Sequence, residues 1–119
     1  MKDKVTWKVF SMYMLIILFM LLCSGAFAQI QVAYFNAAWN DANGVDWVND
    51  LDEVRTISYI DVSKDTELQK KHKIAVIPTI IIFKDKEEVA RFQADLSFKM
   101  VATREEVQEE IDNQLMSDF

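Results

Sequence analysis

The chain has 119 residues, room for one domain, and 51% of them are hydrophobic, enough for one core. Its 13 basic and 19 acidic residues give a net charge of −6, a poor balance for binding nucleic acid. One cysteine, one histidine and two glycines exclude a disulfide framework, a clustered metal site and a phosphate-binding glycine loop, so no cofactor and no metal are expected.

The apolar content is concentrated at the start. Lys2, Lys4 and Lys8 lead into residues 9–23, VFSMYMLIILFMLLC, a run of 15 residues, and Ala26-Phe27-Ala28 forms a small-x-small site. This is the pattern of a secretory signal peptide cleaved after Ala28, so residues 1–28 are expected to be removed and residues 29–119 to form the domain. The alternative is retention as a membrane anchor through residues 9–28, close to the roughly 20 residues that span a bilayer. A membrane contact is expected only in that case. Leu22 before Cys23 is bulky where a lipid-attachment signal has a small residue. Removal takes away three of the 13 basic residues and one of the 19 acidic ones, leaving 10 against 18 and a net charge of −8. The expected location is therefore outside the cytoplasm, in a bacterial periplasm, where disulfides are permitted. Yet the only cysteine, Cys23, lies in the export segment, so residues 29–119 can form no disulfide, thiolate or thiol metal site. The acidic surplus reads first as solubility and second as an acidic docking surface.

With one glycine, Gly44, and one proline, Pro78, residues 29–119 read as compact alternating elements with short turns. Residues 30–36, IQVAYFN, form a short apolar run suited to a buried strand. After the polar Asn40-Asp41-Ala42-Asn43-Gly44, Trp47, Leu51 and Val54 fall at i, i+4 and i+7, which predicts a helix with one buried face. Residues 56–62, TISYIDV, predict a second strand. Asp65 or Thr66 can cap a helix through Lys73 that turns Leu68 inward and gathers Lys70, Lys71 and Lys73 at its carbonyl end. Residues 74–83 are almost wholly apolar, as in a strand covered on both faces. Residues 88–94 are its hairpin partner across Lys84-Asp85-Lys86-Glu87. Thr103-Arg104-Glu105-Glu106 is a capping box, and Val107, Ile111 and Leu115 repeat every four residues along a closing helix. The predicted order is β-α-β-α-β-β-α, an α/β fold with a mixed sheet and helices on both faces.

That order, with one proline opening the third strand, resembles the thioredoxin core. Phe35-Asn36-Ala37-Ala38-Trp39 is similar to that family's strand end and tryptophan before Cys-x-x-Cys, and Ile77-Pro78-Thr79 to its Ile-Pro-Thr with a cis proline. Asp61 falls where the family often has an aspartate ending its next strand. The likeness runs from Gln29 to about Leu115 and implies a minimal thioredoxin-like fold lacking the extra N-terminal strand and helix. At the positions of the two cysteines stand Asn40 and Asn43, so the redox motif is degenerate. Tyr34 replaces a buried carboxylate that assists proton transfer, and Ala94 a glycine beside the proline. Asparagine has no thiol to ionise, so no catalytic residue is assigned, and Asn40 is expected to cap the following helix at about 1 kcal/mol over alanine.

No other chemistry is assembled. His72 lies in Lys70-Lys71-His72-Lys73 and reads as a solvated side chain, while Asp50, Asp52 and Glu53 read as a charged surface. The resemblance implies a groove that pairs with an extended peptide without needing a thiol, lined by Trp39, Asn40, Asn43, Ile77 and Pro78, with Ala94 narrowing it. The expected function is an exported, redox-inactive module binding a protein or an extended peptide. Its alternatives are a protein working through a partner's thiols and a structural subunit of an envelope complex.

Overall fold

A computed structural model of the chain describes residues 29–117. The segment expected to direct export, residues 1–28, lies outside the described residues.

Strand β1 (Ile30–Asn36) sits inside a four-stranded sheet, parallel to β2 (Thr56–Asp61) and antiparallel to β3 (Thr79–Lys84), which pairs in turn with β4 (Glu87–Gln93). The order across the sheet is β2-β1-β3-β4. Being central, β1 and β3 bury both faces and therefore carry continuous apolar runs. Alternation divides them: Ile30, Val32, Ile80 and Ile82 enter one core, while Ala33, Phe35 and Ile81 enter the other. β3 and β4 are joined at Asp85 and Lys86, both with positive φ of 52° and 72°, the backbone of a two-residue turn whose twist suits a hairpin. Asp85 also extends the β1–β3 pairing, its N–H donating to Gln29 O at 3.0 Å and its Oδ1 accepting from Gln29 N at 3.1 Å.

The first core is covered by helix α2 (Arg104–Met116) through the fully buried Val107 and Ile111, with the half-buried Leu115 at its margin. Thr103 caps this helix as the box predicts, its side chain accepting from the Glu106 N–H at 3.2 Å. Lys84 Nζ donates to the Gln114 carbonyl at 2.8 Å, a cation at the helix end that favours one. Helix α1 (Thr66–Lys71) belongs to the opposite face, with Val62 and Ile74 on either side of it in the second core. Asp65 caps α1 by accepting from Leu68 N at 3.1 Å, and Arg91 of β4 closes its far end by donating to the carbonyls of His72 and Lys73.

Two segments depart from the sequence expectation. In place of one α-helix after Asn40 there are two 3-10 segments, Ala38–Asn43 and Asp46–Asp50. The residues that bury their side chains there are Val45, Val48 and Leu51, spaced by three, whereas Trp47 and Val54 only flank the core. That is the three-residue turn of a 3-10 helix, not the 3.6 of an α-helix. Gly44 separates the two, and a Cβ at that position would stand 3.0 Å from the Asp41 carbonyl oxygen that accepts the Gly44 N–H. Secondly, the strand expected over residues 74–83 begins only at Thr79. Pro78 has no N–H for a ladder, so residues 74–78 run as an irregular lead-in that still buries Ile74 and Ile77. The Ile77–Pro78 peptide bond is cis.

Candidate functional site

The C-terminal end of β1 delivers Asn36, Ala37, Trp39 and Asn40 to one end of the sheet. There the two asparagines at the degenerate motif are structural. Asn40 is 4% exposed, and its amide donates to Asn36 Oδ1 and to the Phe98 carbonyl, each at 3.1 Å. Its own oxygen accepts from Asn43 Nδ2 at 3.0 Å. Asn36 Nδ2 then donates to the Tyr34 hydroxyl at 3.1 Å, which also accepts from the Val45 N–H at 2.9 Å. The result is a hydrogen-bonded chain Asn43→Asn40→Asn36→Tyr34 that ties both 3-10 segments to β1.

This corrects the expectation that Asn40 caps a helix. The segment starts at Ala38, with Ala37 at its cap position and no side-chain cap there, and the Asn40 N–H already donates to Ala37 O at 2.9 Å. Because the helix begins earlier than its polar run suggests, Asn40 is inside it and turns its amide to the loop ahead of α2. His72, expected in solvent, is half-buried between the rings of Phe35 and Phe83, with centroids 5.6 and 5.7 Å away. α1 stops at Lys71, so the next side chain folds under the helix end.

Trp39 remains 64% exposed. Its indole meets Phe98 edge to face, with centroids 5.2 Å apart and planes at 89°. Phe98 is held there by its loop: the Ala94–Met100 bridge closes the base, and Asp95 Oδ1 accepts from Ser97 N and Oγ and from Lys99 N. The Ser97 side-chain bond, followed by the Lys99 amide, holds the Asp95 carboxyl below the usual carboxylate range. Phe98 itself has a φ of 63°, a conformation that costs a bulky residue on the order of 1 kcal/mol and persists only where neighbours fix it.

Between this aromatic pair and the lead-in to β3 lies a shallow groove of about 360 Å³, lined by Trp39, Phe98, Val62, Ile74, Val76 and Ile77 among others. Thr79 Oγ1 donates to Val76 O at 2.6 Å and Ala94 N to Pro78 O at 3.0 Å, which fixes the lead-in on either side of Ile77. The N–H and C=O of Ile77 itself make no hydrogen bond among the described residues. Of the residues expected to form the groove, Trp39 and Ile77 line it together. Pro78, Ala94, Asn40 and Asn43 do not line it: Pro78 is buried, Ala94 N bonds the Pro78 carbonyl, and the amides of Asn40 and Asn43 are spent on the hydrogen-bonded chain, which meets the groove's wall only where Asn40 donates to the Phe98 carbonyl. Sequence reading missed Asn36 and Phe98. The signal for the second was present in Asp95-Leu96-Ser97, an Asp with a Ser two residues on, the makings of a tight turn.

A second cavity of about 450 Å³ opens on the other side of Ala38, lined by Tyr34, Asn36, Asp41, Asp46, Tyr59 and Asp61 among others. Asp61 accepts from Ser63, whose hydroxyl, more than any other contact, keeps its carboxyl below the usual range. Among the described residues no group of three or more His, Cys, Asp or Glu could hold a metal ion.

No protein-family model matches the chain, and no curated protein matches it. Solved structures do. The chain is similar to a mutant thioredoxin from Halobacterium salinarum at 17% identity and a TM-score of 0.57, covering 73% of this chain and 75% of that one. It is similar to thioredoxin 1 from Thermosipho africanus at 18% and 0.56, covering 74% and 97%. Thioredoxin-2 of the malaria parasite, described as a component of protein secretion machinery, aligns at 22% and 0.55, covering 72% and 84%. The fold is thioredoxin-like, as the order of elements predicts.

Proposed function

We propose that this thioredoxin-like domain is an exported, thiol-free interaction module that binds an extended segment of a protein partner along the groove beside Ile77. Export rests on the charged start, apolar run and small-x-small site of residues 1–28. The binding reading rests on one observation above all: an indole 64% exposed stands across a groove from the irregular lead-in to β3, whose Ile77 N–H and C=O have no partner among the described residues. Unpaired backbone groups beside an exposed aromatic suit β-type pairing, in which main-chain bonds supply affinity and the ring buries an apolar side chain of the guest. The Asn40 bond to the Phe98 carbonyl helps fix the Phe98 wall of the groove, which lowers the ordering cost of binding. No sulfur chemistry contributes, because residues 29–119 hold no cysteine.

The test is capture of partners from an envelope extract by wild-type protein and by Trp39→Ala, each over a salt series. Groove binding loses its partner with Trp39→Ala and survives moderate salt. Binding that vanishes with salt yet ignores Trp39→Ala belongs to the acidic surface instead, since exposed charges are screened over about 8 Å at physiological ionic strength.

A further inference from the structure

β2 lies at one edge of the sheet and pairs only with β1 among the described residues. An edge strand presents a row of unused N–H and C=O groups, and proteins usually blunt it with lysine, proline or a bulge. Residues 56–60 of β2, TISYI, carry none of these: they contain no charge and no proline and are rich in strand formers. The Val62 N–H donates to Asn36 O at 2.9 Å, so by alternation Ser58 and Ile60 face β1 while Ile57 and Tyr59 direct their backbone groups outward. The alternation stops at the bend of Arg55, whose N–H donates to Ile30 O of β1 at 2.8 Å and whose side chain alone is available to a second copy. Tyr59 is 57% exposed.

The sequence of this edge is complementary to itself. Read from Arg55 to Asp61 it is R-T-I-S-Y-I-D, with a cation before the strand and an anion at its end. Arg55 is exposed and has no ion pair among the described residues. Laid antiparallel on a second copy and centred on Ser58, the strand brings Ile57 opposite Tyr59 twice and Arg55 beside Asp61 twice. Ile57 and Tyr59 are the residues whose outward backbone groups must pair in that register, and a β-branched residue opposite an aromatic is a favourable cross-strand pair. Asp61 already accepts from the Ser63 N–H and hydroxyl and from the Ala38 N–H, but an ionised carboxylate has about four acceptor sites and so keeps capacity for an arginine. We infer that β2 is a self-association edge: two copies join antiparallel through residues 55–61 about Ser58, extending the sheet across a two-fold axis. A single strand pair buries less than the ~1,000 Å² of a stable interface, and each copy carries a net negative charge, so the dimer is weak and concentration-dependent.

Engineered cross-linking tests the register directly. At the centre Ser58 faces Ser58 in a non-hydrogen-bonded pair, with Cα atoms about 4.5 Å apart, inside the range a disulfide accepts. With Cys23→Ser as background, Ser58→Cys should give a covalent dimer on mild oxidation, several-fold more than Thr56→Cys, whose thiol would face Ile60. Adding Arg55→Glu to Ser58→Cys should cut the yield several-fold. Sedimentation of the unmodified protein should rise from monomer toward dimer with concentration. No dimer from Ser58→Cys, equal yields at the two positions, or indifference to Arg55→Glu would overturn the inference.

Discussion

Asn40 uses both ends of its amide in a nearly closed environment, reaching Asn36, Asn43 and the Phe98 carbonyl. Where the resemblance places a thiol, the chain has a polar brace. Asn40→Ala removes three hydrogen bonds and strands groups that water reaches poorly, so it should cost about 1–3 kcal/mol in urea unfolding, and Asn43→Ala, at the more open end of the chain, less than that. A second test concerns Asp95, whose carboxyl is held below its ordinary range chiefly by Ser97. A depressed folded value means its contribution is complete above the unfolded value of about 3.9 and is lost as pH falls through the lower folded value. The Phe98–Trp39 contact should therefore persist at pH 5 and loosen only in stronger acid, followed by NMR of the Ser97 and Phe98 amides. Asp95→Ala should be loose throughout and show no such acid step.

At the scale of elements, the connection between β1 and β2 decides how the motif is presented. Its buried residues, Val45, Val48 and Leu51, follow a period of three. Val48→Ala should thus cost about 2 kcal/mol, from two buried carbons plus the cavity they leave. Val54→Ala, at a half-buried site, should cost under about 1 kcal/mol; equal losses in a denaturant titration would restore the α-helical reading. Strands, hairpin and closing helix were legible because alternation, turn residues and a capping box act locally. The 3-10 segments were not, because Trp47, Leu51 and Val54 also satisfy a helical spacing and only packing against β1 and β3 chooses between the periods. Of the site, Trp39 and Ile77 were legible from order along the chain. Phe98 was not, since its role comes from a contact between residues 58 apart in sequence, the bond from Asn40 to the Phe98 carbonyl. Asn36 was not, because its bonds to Tyr34 and Asn40 form only once the 3-10 segment folds back on the strand end.

Among the described residues, the sheet's two exposed resources lie at different places: the groove at the C-terminal end of β1, and the edge of β2 that pairs with no further strand. They need not compete, so a partner bound beside Trp39 leaves β2 open. Purified residues 29–119 should not reduce insulin disulfides under any thiol buffer, as they lack the atom required. The central claim, that the groove binds extended chain through Ile77 and Trp39, is tested most directly by a ¹⁵N NMR titration of the protein with extended apolar peptides at low and moderate salt. The account predicts shifts confined to the amides of Val76 and Ile77, the Trp39 indole and the Phe98 loop, retained in salt and abolished by Trp39→Ala. Shifts confined to the acidic surface, or unchanged by Trp39→Ala, would contradict it.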